Sequence, residues 1–382
     1  MQEKVSAGQL ASIIILFQIG SSSLFLLASD AKHDAWISVL IAMLMGLVML
    51  IFVTMPIQAK APQASLIEIL NRYFGKYLGF ILGLSFVGYF IYKSVRNVRE
   101  FGDLVILYML PRSSLDVIML VLMCVGAYAI FHGLEVFFRV GQLVLPWLLV
   151  IYIVLFVLLF ASDLVDFKRL LPLLEEGWKP VWDAAIPEVI SFPFGEMVVF
   201  LMFWKHLAPF DKFKKFSLIS YTCSGLFIVL TNVLIITVLG DISGAYVVPF
   251  MFSTSLIQIG GFLERMDPFV SLLLFGGVFF KQATYYLAAV LAASELFKVK
   301  HRTMVIPVGV AIFIGARLFR SYIEQIRVGF DYNLKLHFPI FQIVLPIILV
   351  LLMIITHWIK RKRKKKEKEK EKDPVSNPPS NE

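Results

Sequence analysis

The residues best able to do chemistry in this chain are charges set inside otherwise apolar stretches. Lys93, Arg96, Arg99, Glu100 and Asp103 share one such stretch, Glu196 follows Ser191-Phe-Pro-Phe-Gly195, and Lys281 stands within Phe279-Phe-Lys-Gln-Ala-Thr-Tyr-Tyr286. Ionisable groups are expensive at membrane depth and are candidates for function there. Ser85, Tyr89, Lys93, Arg96, Glu100 and Asp103 step by four, four, three, four and three residues, which makes one polar stripe along a helix. Arg96–Glu100 and Arg99–Asp103 have the i,i+4 spacing of ion pairs. That stripe is either an interior salt-bridge ladder, a helix end emerging into water, or the lining of a polar path. Glu196 can accept from unwound N–H groups, titrate with substrate or proton, or serve as a structural partner. Lys281 can pair with Glu196 or Glu100. Thr284, nearly one turn beyond Lys281, either faces the same site or bonds its own i−4 carbonyl.

Other chemistries have no residues to carry them. No Ser/His/Asp set, HExxH motif or pair of carboxylates with nucleophile spacing is present, so no catalytic residue, enzyme activity or cofactor is expected. The six histidines fall near the ends of apolar segments without metal-ligand spacing. Cys124 and Cys223 lie inside apolar segments and read as small core residues.

The elements that must position these charges follow from composition. Of 382 residues, 59% are hydrophobic and 16% charged, with mean hydropathy +0.81; a soluble domain carries roughly 25% charged residues. The chain therefore reads as an integral membrane protein, which excludes nucleic-acid binders and soluble enzymes. Its net charge of +9 does not argue for nucleic acid, because residues 360–382 alone supply +5 of it. A membrane helix needs about 20 apolar residues. Val5–Ser29, Ala35–Met55, Val140–Ala161 and Phe216–Gly240 reach that length without charge, and Phe338–Thr356 nearly does. Tyr77–Tyr92 running on to Asp103, Val117–Phe131, Pro187–Trp204, Pro268–Leu296 and Thr303–Phe319 are shorter or interrupted. The expectation is an all-α integral membrane protein of ten helices. With the N-terminus inside, 22 Lys/Arg fall on inner segments and ten on outer loops, so both termini are expected on the cytoplasmic side. Ala64–Gly75 reads as an amphipathic helix on the inner surface, and Gly244–Met266 as an outer loop with a short helix over Ser255–Phe262. The tail, 360–382, cannot bury a core and is expected to be disordered or a frayed helix touching anionic lipid.

Two helices carry breaks. The first reads Leu16-Phe-Gln-Ile-Gly20-Ser21-Ser22-Ser23, and the sixth contains Pro193, Phe194 and Gly195. Pro193 removes a backbone donor and clashes with the preceding turn. Unwound backbone inside a membrane is tolerated only where it lines a cavity or is covered by protein. The glycines are 175 residues apart, and each broken helix is followed by four others. Five is odd, so the second half enters from the opposite side. This predicts a five-plus-five inverted repeat, about 5–162 and 183–359 within a transmembrane domain of residues 1–359, with a binding site where the breaks meet. Taken singly, either break also suits an ordinary kink or close-packing site.

At this point the chain resembles the spore germination permease family, the B subunits of Ger-type nutrient germinant receptors in the amino acid–polyamine–organocation superfamily. The resemblance rests on Ser6-Ala-Gly-Gln-Leu with the break through Gly20, Val95-Arg-Asn-Val-Arg-Glu100-Phe, Leu110-Pro111, and Ser191-Phe-Pro-Phe-Gly195-Glu196. Leu110-Pro111-Arg112 replaces the Thr-Pro common at that point. The resemblance implies a place in the inner membrane of the endospore, partner A and C subunits, and a small nutrient bound in a transporter-like pocket. An amino acid is the expected ligand, since its carboxylate suits a half-helix N-terminus. The pocket residues it suggests are Gly20, Ser21, Ser22, Tyr92, Arg96, Phe194, Gly195 and Thr284, with Glu100, Glu196 and Lys281 as a polar path or coupling set. It also suggests that Lys281 replaces the ion that the first and eighth helices hold in sodium-coupled relatives. The competing reading is a proton-coupled amino acid transporter, which the residues alone would favour.

Overall fold

The computed structural model describes residues 4–259, 263–264 and 266–372, and shows an all-α, multi-pass membrane protein. Among these residues, seven helices are long and apolar enough to cross a membrane. They are α2 (Ser29–Lys60), α3 (Lys76–Tyr108), α5 (Leu134–Ala161), α6 (Trp178–Met202), α7 (Phe210–Ala245), α8 (Asp267–Phe297) and α10 (Tyr322–Ile359). Three shorter helices lie among them: α1 (Ala7–Ile19), α4 (Leu115–Phe131) and α9 (His301–Arg317). A surface helix, Leu66–Phe74, begins with a Ser65/Glu68 capping box. Its Ser65 hydroxyl donates to Glu295, and Lys205 reaches the same carboxylate, which ties this helix to the ends of α6 and α8.

Burial divides the bundle into a packed interior and an exposed apolar periphery. α8 is the most enclosed long helix, with Gly277 through Val290 all buried. α5 lies at the periphery and exposes Leu143, Trp147 and Val157. Cys124 and Cys223 also lie on exposed faces, contrary to the expectation that they are core residues. Lipid tails are as apolar as a protein interior, so an apolar run does not say which side of a helix is buried.

Among the described residues, three stretches widen to π-helical turns: Leu50–Thr54, Ala185–Val189 and Gly329–Val344. Pro56 follows the first, and Pro187 and Pro339 sit in the others. A proline cannot donate to the carbonyl four residues back, and a wider turn relieves that loss. Two helices of the expected set, the sixth and the tenth, grow at their starts. α6 begins at Trp178 rather than Pro187, and α10 at Tyr322 rather than Phe338. In α10 the charges that end the apolar run are accommodated on an exposed face, where Lys335 pairs with Asp331 at 3.0 Å. The outer loop also differs from expectation. Its helix is Pro249–Ser255, and Gln258–Ile259 pairs antiparallel with Leu263–Glu264 where Ser255–Phe262 was expected to be helical. Residues 260–262 of that expectation lie outside the described residues. The C-terminal helix continues into the basic tail as far as Lys372.

Candidate ligand pocket at the broken helices

α1 stops at Ile19. Gly20 takes φ +32° and ψ −123°, a conformation that suits glycine, and its N–H still donates to Leu16. The chain then runs non-helically to Ala28. Part of its backbone is satisfied from outside: the Leu27 N–H donates to Asn232 at 3.0 Å, and the Phe250 N–H to the Leu24 carbonyl at 3.3 Å. The Ser23 hydroxyl meets the Tyr152 hydroxyl at 2.5 Å. α6 breaks at Ser191–Pro193 and resumes as a tighter 3-10 helix, Phe194–Met202. The start of the chain runs beside the end of this helix, with the Val5 N–H donating to His206 and Ala208 to Val5. The segment that leads into α1 thus lies beside the segment that leaves α6.

Glu196 sits in the first turn after the α6 break and gathers two lysines. Lys93 Nζ of α3 lies 2.9 Å from Oε1, and Lys281 Nζ of α8 lies 2.7 Å from Oε2. All three side chains are buried, at 3% exposure or less. Lys281 also stands over the Phe192 ring at 3.9 Å, and its stem packs where Gly20 lacks a side chain. The ion cluster therefore touches both breaks. Gln342 of α10 locks the same region, donating to the Tyr89 hydroxyl at 2.8 Å and to the Ser191 carbonyl at 3.3 Å. Gly195 lies so close to Gln342 that any side chain there would meet its amide oxygen.

Above this cluster lies a cavity of about 320 Å³. α3 contributes Lys93, Arg96, Asn97 and Glu100, while α6 contributes Glu188, Ser191, Phe192 and Glu196. The unwound part after α1, the loop around Tyr246 and the first turns of α10 close the remaining walls. Phe25, Leu26, Phe192 and Phe330 make part of the wall apolar. A mostly apolar cleft with a few convergent polar groups is the usual form of a small-molecule site.

Residues 4–323 match the family described as spore germination protein. The chain belongs to the spore germination protein family. Spore germination protein KB of Bacillus subtilis (strain 168) is 31% identical over 350 residues, 91% of this chain and 93% of that protein. Spore germination protein A2 of the same organism is 26% identical over 340 residues, covering 86% and 90% of the two chains. Spore germination protein B2 is 24% identical over 309 residues, covering 79% and 82%.

In this member of the spore germination protein family, the residues singled out from sequence fall into two layers. Arg96, Glu100 and Glu196 line the cavity, and Lys281 supports it through Glu196. Gly20, Ser21, Ser22, Phe194, Gly195 and Thr284 lie outside its lining. Thr284 donates to the Phe280 carbonyl at 2.7 Å. Phe194 packs edge-on against Tyr221, and Tyr92, also outside the lining, meets the His337 ring at a tilt of 60° with centroids 4.5 Å apart. Arg99 pairs with Asp103 at 2.7 Å as its spacing suggests, whereas Arg96 closes no ion pair among the described residues and lies against Gly329. Sequence reasoning placed Lys93 on the polar stripe without giving it a role at the site, and it passed over Glu188, Asn97 and Gln342. Gln342 carried a usable signal, being a lone amide inside the apolar run Phe338–Thr356.

Proposed function

We propose that this chain is the membrane-embedded, ligand-binding subunit of a spore nutrient germinant receptor. A small germinant, an amino acid by preference, would occupy the cavity and trigger germination. The observation that carries this reading is the cavity itself. It lies against both broken helices, above a buried carboxylate shared by two lysines, in a chain of the spore germination protein family. Its size, about 320 Å³, suits a small nutrient; ligand sites span roughly 300–1,000 Å³.

The proposed frame is a ten-span, five-plus-five inverted repeat, about 5–162 and 183–359, within a membrane domain of residues 1–359, followed by the charged tail. Its support is the reciprocity of packing. α1 packs on α7 as α6 packs on α2, α3 on α9 as α8 on α4, and α1 on α5 as α6 on α10, while α3 and α8 pack on each other. In this reading both termini face the spore core, the protein lies in the inner membrane of the endospore, and A and C subunits are its partners. Gly20, Ser21, Ser22, Tyr92, Phe194, Gly195 and Thr284 form a deeper layer that would meet the ligand or carry its signal. Glu100, Glu196 and Lys281 form the polar set that would couple binding to that signal.

One observation favours a second reading, proton-coupled amino acid transport: Glu196 lines the cavity and is a carboxylate that a proton can reach from it. The deciding experiment is removal of the gene from a spore former. The receptor reading expects deletion spores to lose their response to a specific nutrient, with uptake of that nutrient by vegetative cells unchanged. Lost uptake with normal germination would support transport instead.

A further inference from the structure

The floor and the walls of the cavity differ in charge compensation. On the floor, Glu196 is neutralised by Lys93 and Lys281. On the α6 wall stands Glu188, half-buried, with no Lys or Arg at ion-pair distance among the described residues. Ser191, one turn on, gives its hydroxyl to the Glu188 backbone carbonyl at 2.7 Å rather than to the side chain. The wall formed by α3 shows the opposite deficit. Arg96 lines the cavity without an ion pair, and its buried Nε has no hydrogen-bond partner. Glu100, one turn away, does not close onto it among the described contacts.

A partly buried carboxylate without a cation and a buried guanidinium donor without an acceptor are each costly unless a ligand completes them. We propose that Glu188 recognises the ammonium group of the ligand and Arg96 its carboxylate, so that the site takes an α-amino-acid zwitterion with a small apolar side chain. The proposal deepens the receptor reading above and rests on it. A carboxylic acid without an amine leaves Glu188 unmatched, a simple cation leaves Arg96 unmatched, and a neutral sugar leaves both. Arg96 presents a planar fork of donors suited to a carboxylate, and Glu188 an acceptor suited to an ammonium. The ligand's side chain would rest on the apolar part of the wall, Phe25, Leu26 and Phe330.

The test uses spores whose sole intact nutrient receptor contains this chain. They are exposed to the common L-amino acids, to the corresponding des-amino carboxylic acids, to glucose and to potassium chloride. The expected result is that at least one apolar amino acid triggers germination and its des-amino counterpart does not. Glu188→Gln, at normal immunoblot level, should raise the half-maximal concentration of that amino acid by about tenfold or more, the scale of a lost charge-assisted hydrogen bond. Glu188→Asp should fall between the two. Equal potency of the amino acid and its des-amino counterpart, or an unchanged curve for Glu188→Gln, overturns the assignment. A response to glucose or potassium chloride alone overturns it while leaving the receptor reading intact, and no response to any probe overturns both. If Glu188→Gln does not accumulate, the comparison of amino and des-amino compounds on the unmodified receptor still decides.

Discussion

Glu196 is the residue on which the interior electrostatics turn. One carboxylate holds two ammonium groups that come from helices roughly a hundred residues away on either side in the chain. Removing it strands both lysines, and breaking a buried pair costs on the order of 3–5 kcal/mol. Removing Lys281 leaves Glu196 still neutralised by Lys93, so Lys281→Met should cost less than Glu196→Gln. Immunoblots of membrane fractions and unfolding temperatures in detergent should give that order, and the reverse order would show that Lys93 does not compensate Glu196. Glu196, Lys281 and Lys93 were legible in sequence as charges inside apolar runs. Their union was not, because each alternative partner was equally compatible with the helical spacing. Glu188 was passed over because it stands near the start of a span, where a charge reads as a helix end.

At the scale of the element, the contact between α8 and the α1 break is the tightest constraint. A side chain at Gly277 would meet the backbone of Gly20, whereas one at Gly276 would meet only the Leu148 side chain, at 2.9 Å. Backbone cannot yield as a leucine rotamer can, and overpacking a well-packed interior costs about 1–3 kcal/mol. Gly277→Ala should therefore lower protein level and unfolding temperature clearly more than Gly276→Ala. Equal effects from these two neighbours would mean that α8 does not brace the break. Both breaks were visible in sequence through Gly20 and Pro193, since these residues change what backbone geometry is affordable. What happens beyond them was not visible. The stretch from Ser21 to Ala28 is apolar enough to suggest a helix, yet its backbone is held by Asn232 and by the Phe250 N–H, partners more than two hundred residues away. The exposed cysteines make the same point for helix faces, because apolarity alone does not separate lipid from core.

For the whole molecule, composition was enough to show a membrane protein, and the charges near the site were enough to mark its neighbourhood. The cavity was not legible, because it is a space between α3, α6, α10 and an outer loop, and no local pattern encodes a space. The central claim is that a nutrient occupies that space and that its occupancy starts germination. The most direct measurement is a structure of the assembled receptor, prepared in the membrane with and without the nutrient that triggers these spores. Ligand density between Arg96 on α3 and Glu188 on α6, over the Ser191–Phe192 break and absent without nutrient, is the result expected. Density confined to another subunit, with this cavity unchanged by nutrient, would contradict it.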